Sequence, residues 1–331
     1  MRRTDIDGDG WVEVPFEVPG DHAGARLDRY LAGRLRRYSR GEVQRLIDAG
    51  RVLLGRRPVK ASTRLAEGER IVVRYPRREE PPPRHGALTI LLEDERLVAV
   101  AKPGDLLSHP TDKVVRSAAT SILREQLGLR LHLAHRLDRE TSGVLLFAKD
   151  PATARALTGQ FTRREIRKEY LALVRGRAPF RRRLVELPIA REGAEIKVRQ
   201  AVAKDGQPAA TELRVLRAGE KASLVLASPK TGRLHQIRVH LAALGLPILG
   251  DKLYTGNGAA YLKAVRRELT PLDSSELGAE RQMLHAWRLR LTHPGTGRPL
   301  AIEAPPPGDL AACAAAHGID AAASLPREPA R

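Results

Sequence analysis

The sequence predicts an α+β protein in which a small α/β module precedes a larger, β-rich domain. Three observations predict it. Two short helical periodicities fall before residue 50, a proline-rich break occupies residues 77–87, and beyond it strand patterns dominate without regular βαβ alternation.

Taken in order, residues 1–15 read as a loose leader. Leu27, Leu31 and Leu35 then recur at i, i+4 and i+8, one stripe of a helix over Ala25–Arg37. Ser39-Arg40-Gly41-Glu42 is a capping-box pattern that opens a second helix, whose Val43, Leu46 and Ile47 keep helical spacing up to a stop at Gly50. Val52–Leu54 and Val59 flank Gly55-Arg56, a pair suited to a type II′ hairpin turn, and a strand at Arg70–Tyr75 closes a unit spanning residues 16–76. The stretch RREEPPPRH favours extended polyproline and serves as a linker. In the domain expected over residues 88–310, strands are predicted at Leu88–Leu92, Leu97–Ala101, Gly143–Ala148, Glu169–Val174, Glu212–Leu216, Ser223–Ala227, Arg288–Thr292 and Leu300–Glu303. Helices are predicted at Ser117–Leu127 with Ser117 as cap, from Asp150-Pro151 to about Thr162, and at Ile237–Leu244. Residues 311–331, rich in Ala and Pro, are expected to be a disordered tail.

Composition narrows the class of partner. The 331 residues carry 58 Lys and Arg against 39 Asp and Glu, a formal net charge of +19, which biases association toward polyanions. Nucleic acid is the first such partner. A membrane is excluded by the lack of any apolar run near the roughly 20 residues that a span needs. A single cysteine, Cys313, excludes an internal disulfide framework and fits a reducing cytoplasm. No obligate protein partner is indicated.

Residue types with chemical potential concentrate in three places. His135-Arg136-Leu137-Asp138-Arg139-Glu140-Thr141-Ser142-Gly143 lies at the edge of a predicted strand. Arg136 and Arg139 favour an ionised Asp138, and even an unperturbed Asp resists protonation at pH 7 by roughly 4 kcal/mol, so the group suits a nucleophile or base. On charge spacing alone, a structural ion pair that tethers a loop is the simpler account. The second place, Thr231-Gly232-Arg233-Leu234-His235-Gln236-Ile237-Arg238-Val239-His240, is a basic helix start able to face phosphate. The third, Lys168–Val174, is a strand with one aromatic, Tyr170, for which packing is the simpler account.

Together, the order HRLDRETSG, KEYLALVRG and TGRLHQIRVH resembles the RluA-type pseudouridine synthases. LVAVAKPGDLLSHP (97–110), LPILGDKLY (246–254), LHAWRLRLTHP (284–294) and Glu303-Ala304-Pro305 extend the resemblance. Residues 16–76 are similar to the S-four-like (alpha-L) RNA-binding domain that precedes many members. The resemblance covers roughly residues 16–310 and implies a mixed, largely antiparallel catalytic sheet. It implies that Asp138 is the catalytic aspartate, that Tyr170 stacks on the target uracil and that Arg238 pairs with the aspartate. Arg136, Arg139 and Arg233, with Arg40, Arg45, Arg51 and Lys60 in the N-terminal module, are the residues expected to bind RNA. Large-subunit ribosomal RNA is the favoured substrate and transfer RNA the second. The reaction breaks N1–C1′ and rejoins the same uracil through C5, so neither cofactor nor metal is required. A lone carboxylate can attack C1′, add to C6 or abstract a sugar proton, whereas hydrolytic glycosidases generally use two carboxylates.

The chain departs from the family pattern at three places. Asp105 stands where glycine is usual, and Asp tolerates left-handed backbone better than most residues. Leu234 replaces Thr or Ser, and Gly55-Arg56 stands where Asn-Gly is common. Asp5–Gly10 imitates the start of a calcium loop, but its twelfth position is Phe16. Glu140 reads as a solvated or loop-stabilising carboxylate. The competing reading is a non-catalytic RNA-binding or ribosome-assembly protein, which would bind RNA with strong salt dependence and isomerise nothing.

Overall fold

A computed structural model of the chain describes residues 6–7, 11–35, 38–55, 57–76, 84–111, 114–192 and 196–326. The turn at Arg56, most of the expected linker, and the ends of the leader and tail lie outside them, as does all but Ile6-Asp7 of the calcium-like run. The chain divides into Met1–Glu79 and Glu80–Arg331.

In the first unit, helices Leu27–Arg34 and Arg40–Asp48 pack on an antiparallel sheet. The Ser39–Glu42 capping box forms as the sequence predicts. Leu27, Leu31, Val43 and Ile47 meet Val52, Ile71 and Val73 in one core, and each large aliphatic buried there contributes about 1.5–3 kcal/mol. The sheet order is Ile6–Asp7, Trp11–Glu17, Arg70–Pro76, Val52–Leu54, Arg57–Pro58. The leader is corrected by this arrangement. Its last residues belong to the strand Trp11–Glu17, where Val14 pairs with Val73 and Phe16 with Ile71.

The second unit is built on a ten-stranded mixed sheet. Its main path runs Arg182–Glu186, Ala210–Ala218, Ala222–Pro229, Arg167–Arg175, Leu284–Thr292, Ser142–Ala148, Leu97–Lys102, Thr89–Glu93. Pro299–Glu303 and His132–Leu133 pair off this path. Among the described strand pairs of this sheet, all are antiparallel except Leu284–Thr292 with Ser142–Ala148, which run parallel at His285–Ser142 and Ala286–Gly143.

Side-chain alternation along Leu97–Lys102 covers both faces. Val98 and Val100 pack with Ile122 and Leu123 of the helix Ala119–Leu127. Leu97 and Ala99 pack with Leu157 of the helix Pro151–Thr162. Asp150 caps that second helix, accepting from Ala152 N and Thr153 N at 2.8 and 2.9 Å. The expected cap Ser117 fails: the first of these helices starts two residues later with Ala118 at its N-cap, where a bridge from Leu107 to Ala118 holds the chain extended.

The tail is corrected as well. Gly308–Ala315 is a helix, and Leu310, Ala314, Ile319 and Ala321 are buried against Leu224, Leu226 and Trp287. Alanines suffice there because the surface they cover is already apolar. Among the described residues, no helix is long and apolar enough to cross a membrane.

Candidate active site

The loop between His132–Leu133 and Ser142–Ala148 is held at nearly every residue. Ser108 Oγ donates to Leu137 O at 2.9 Å and accepts from Leu137 N at 3.0 Å. Lys102 Nζ, buried at the end of its strand, donates to Pro103 O, Leu106 O and Arg139 O at 2.8, 2.8 and 3.0 Å. Burial pulls the Lys102 ammonium down to about 7. Arg281 Nη1 donates to Glu140 O at 2.9 Å while its Nε and Nη2 grip Asp309 at 2.6 and 2.8 Å. Glu140 stabilises the loop: its carboxylate pairs with Lys252 at 2.9 Å and accepts from Gln282 N at 3.1 Å. Gly143 closes the loop with φ 113°, and a Cβ there would overlap the Ala286 backbone across the parallel pairing. Asp105 takes φ 61°, the left-handed conformation that its place in the sequence predicts.

Asp138 projects from this loop with its side chain 24% exposed. Arg238 Nη1 donates to Asp138 Oδ2 at 2.8 Å, joining residues 100 apart in the chain. The rest of the guanidinium is committed elsewhere: Nε and Nη2 donate to Asp251 Oδ2 and Oδ1 at 2.7 and 2.9 Å. Asp251 is fully buried, and its Oδ1 also accepts from Leu253 N and Tyr254 N at 3.0 and 3.1 Å. Arg238 is thus a planar fork set by one carboxylate and presented to another. Burial pushes the Asp138 carboxyl up, but the charge and hydrogen bond of Arg238, with His235 beside it, outweigh burial and hold it below the ordinary carboxylate range.

His235 begins the helix Gln236–Ala243 from a left-handed conformation, φ 56°. Its Nε2 lies 3.8 Å from Asp138 Oδ2, and its Nδ1 is 2.9 Å from the Tyr254 hydroxyl. Burial, joined by the Arg238 charge, pushes the imidazole below its usual pKa. The Arg238 guanidinium also stands 4.9 Å from the centre of the Tyr254 ring.

Asp138, Tyr170 and Arg238 line one cleft of about 770 Å³. Tyr170 stands at an irregularity in the pairing of Arg167–Arg175 with Leu284–Thr292. Burial, with the Asp138 charge second, pushes its phenol up, so the ring stays neutral. Besides Asp138, the charged lining is cationic: Arg136, Arg164, Lys168, Lys230, Arg233 and Arg238. Such a cleft concentrates phosphate while keeping one carboxylate ionised at its floor.

Of the expected RNA-binding residues, Arg136 and Arg233 line the cleft, though Arg233 Nε also donates to Pro208 O at 3.0 Å. Arg139 turns away to Asp105, 2.8 Å distant. In the first unit Arg45 and Lys60 are exposed and Arg51 is half-buried. Arg40 donates to Asp28 at 2.9 and 3.1 Å while remaining 46% exposed. Asp28, fully buried, also binds Arg26 at 3.0 Å and Gln44 at 2.9 Å, so part of this basic surface is structural.

Sequence reasoning missed Asp251, Lys102, Lys168, Lys230 and Arg164. Lys102 left one signal, a lone cation ending an apolar strand. Asp251 left none beyond its place in LPILGDKLY.

Residues 96–243 match the family model described as RNA pseudouridylate synthase, and residues 25–71 match that of the S4 domain. Over 309 residues the chain is 35% identical to a ribosomal large subunit pseudouridine synthase D of Nitrosomonas europaea, covering 90% of this chain and 86% of that one. Over 311 residues it is 33% identical to a ribosomal large subunit pseudouridine synthase C of Vibrio cholerae, covering 89% and 94%. A relative from Chloroflexus aurantiacus, described as an uncharacterized RNA pseudouridine synthase, is 37% identical over 325 residues and covers 92% and 96%. The solved structure of human RNA pseudouridylate synthase domain containing 1 superposes with a TM-score of 0.57 at 28% identity, over 71% of this chain and 90% of that one.

Proposed function

The chain belongs to the RNA pseudouridylate synthase family and isomerises uridine to pseudouridine in RNA, and on that premise we propose that Asp138 is the carboxylate that acts on the target nucleotide. The observation that carries the proposal is the Asp138–Arg238 contact at 2.8 Å in the same cleft as Tyr170. Arg238 keeps Asp138 ionised and fixes one of its oxygens. Tyr170 offers a neutral ring against which an extruded uracil stacks, and the cationic lining holds the flanking phosphates. Extrusion costs a few kcal/mol, which stacking and phosphate contacts offset.

The balance of the reaction fits a single carboxylate. The N1–C1′ bond breaks, C5–C1′ forms, the C5 proton leaves to solvent and N1 gains a proton. Because nothing else is consumed, the residues that hold and turn the base are sufficient. Among the described residues, no group of three His, Cys, Asp or Glu is arranged to hold a metal ion.

We further propose large-subunit ribosomal RNA as the substrate, supported by the names of the relatives from Nitrosomonas and Vibrio and by the S4 match at residues 25–71. The S4-type module would grip the RNA through Arg45, Arg51 and Lys60, and a cytoplasmic location follows from that substrate. Mapping pseudouridines across total RNA from cells with and without the gene identifies the sites. On RNA containing a mapped site and labelled with 5-tritiated uridine, wild type should release tritium, whereas Asp138→Asn should bind the RNA and release none. Substantial release by that variant would refute the assignment.

A further inference from the structure

His235 has a hydrogen-bonding state fixed on one side and open on the other. Gln200 N donates to the Tyr254 hydroxyl oxygen at 3.0 Å. With Gln200 N already donating to that oxygen, we assign the single hydroxyl proton of Tyr254 to its other neighbour, His235 Nδ1, at 2.9 Å. With Nδ1 accepting and the ring neutral, the imidazole proton resides on Nε2. That N–H faces Asp138 Oδ2 across 3.8 Å, beyond hydrogen-bond reach. A pure donor and a pure acceptor thus stand side by side in the cleft with a gap between them.

A single atom filling that gap must accept from one side and donate to the other, which is the property of a hydroxyl. Separations of about 2.8 Å to each partner satisfy both bonds across such a gap. Within an RNA chain the 3′ and 5′ oxygens of a nucleotide are esterified, so its only hydroxyl is the 2′-OH. That group neighbours C1′, the carbon at which the glycosidic bond breaks and reforms. The N3–H edge of uracil also combines a donor with acceptors. It lies across the ring from C6, however, and so faces away when a carboxylate approaches C1′, C6 or the sugar.

We propose that His235 and Asp138 clamp the 2′-hydroxyl of the target uridine, His235 Nε2–H donating to its oxygen and the Asp138 carboxylate accepting from it. The clamp rests on the reading of Asp138 as the carboxylate that faces the target nucleotide. It makes His235 a specificity-determining residue that tells ribose from deoxyribose at the reacting position, and it places the Gln200–Tyr254 pair behind it as a positioning device that selects the tautomer.

The test uses an RNA that wild type modifies, prepared with either uridine or 2′-deoxyuridine, each 5-tritiated, at the one target position. Under single turnover, wild type should lose on the order of tenfold or more on the deoxy RNA, the scale of a hydrogen bond to a charged group. His235→Asn, a residue that tolerates the left-handed backbone, should lose a similar factor on the ribose RNA with RNA affinity unchanged. For that variant the deoxy substitution should cost clearly less than it costs wild type, because only the bond to Asp138 remains to be lost. Tyr254→Phe keeps the ring but frees the tautomer, and should fall between the two. Multiplicative penalties in His235→Asn, or equal wild-type rates on both RNAs, would overturn the clamp. An uracil-edge contact would give a deoxy penalty that His235→Asn leaves intact. Tritium release by Asp138→Asn on the ribose RNA would instead remove the premise, so the two failures are distinguishable.

Discussion

Asp251→Asn tests how Arg238 is set. The two carboxylate oxygens of Asp251 have unequal loads: Oδ1 accepts from Arg238 Nη2, Leu253 N and Tyr254 N, whereas Oδ2 accepts from Arg238 Nε. An asparagine will therefore keep its carbonyl at the Oδ1 position, where three donors converge, and turn its amide toward Arg238 Nε. Two donors then face each other in a buried site. The change removes one charge-assisted hydrogen bond, worth about 1.5–3 kcal/mol, and leaves a buried guanidinium N–H without an acceptor at about 1–3 kcal/mol more. A total near 3–4 kcal/mol agrees with the cost of breaking a buried ion pair. For a folding unit of this size, that corresponds to a fall in Tm of roughly 6–16 °C, measurable by circular dichroism on the full chain. Relief of the opposed donors turns the guanidinium away from Asp138, and a displacement of about 1 Å costs on the order of a hundredfold in single-turnover tritium release. RNA affinity should change little, since Asp251 is fully buried. A variant within about twofold of the wild-type rate and about 2 °C of its Tm would refute the reasoning, because both losses follow from the same opposed donors.

Arg238 also governs pH dependence. With Asp138 held below the ordinary carboxylate range, wild-type tritium release should have no acid limb above about pH 4. In Arg238→Ala the burial that raises the carboxyl is no longer outweighed, so the residual activity should gain an acid limb displaced upward; an unmoved profile would count against Arg238 as the cause. The sign for stability follows. A depressed folded-state pKa stabilises above the unfolded value, and that contribution is lost as pH falls through the folded one, so Asp138 should add to acid sensitivity of the fold only below about pH 4. Gly143→Ala combines a left-handed backbone with overlap at Ala286 and should lower stability by about 3 kcal/mol or more, with insoluble expression as the first sign; a soluble, active variant would contradict the close approach. Removing residues 1–79 should leave tritium release measurable at high enzyme concentration, since every cleft residue lies in the second unit, while RNA affinity drops at least tenfold; unchanged affinity would show that the first unit does not grip RNA.

The elements most legible in the sequence were those whose signals are local. Ser39 and Glu42 close their capping box, and Asp150-Pro151 opens a helix that ends at Thr162, because each depends on a few adjacent residues. Asp138 was legible through HRLDRETSG, and Tyr170 and Arg238 through their own strings; the structure brings all three to one cleft. Elements were missed where burial is supplied from a distance. In Arg182–Glu186 only Val185 is buried, so the segment shows no alternation to read. The alanines of 311–316 look like low complexity until the sheet beneath them is known. Asp251 is one of 39 acids, and nothing adjacent to it announces that a guanidinium from another segment closes on it.

The grip of Arg281 on Asp309 separates two meanings of a domain's end. A fragment stopping at Glu303 would retain every side chain that lines the cleft, yet it would strip the counter-ion from an arginine that is 7% exposed and braces the Glu140 carbonyl. Its deficit should be one of precision, a loop two residues from Asp138 that wanders. Boundaries drawn from the reacting groups alone would sever their foundation, and any shortened form of this enzyme has to carry the helix that starts at Gly308.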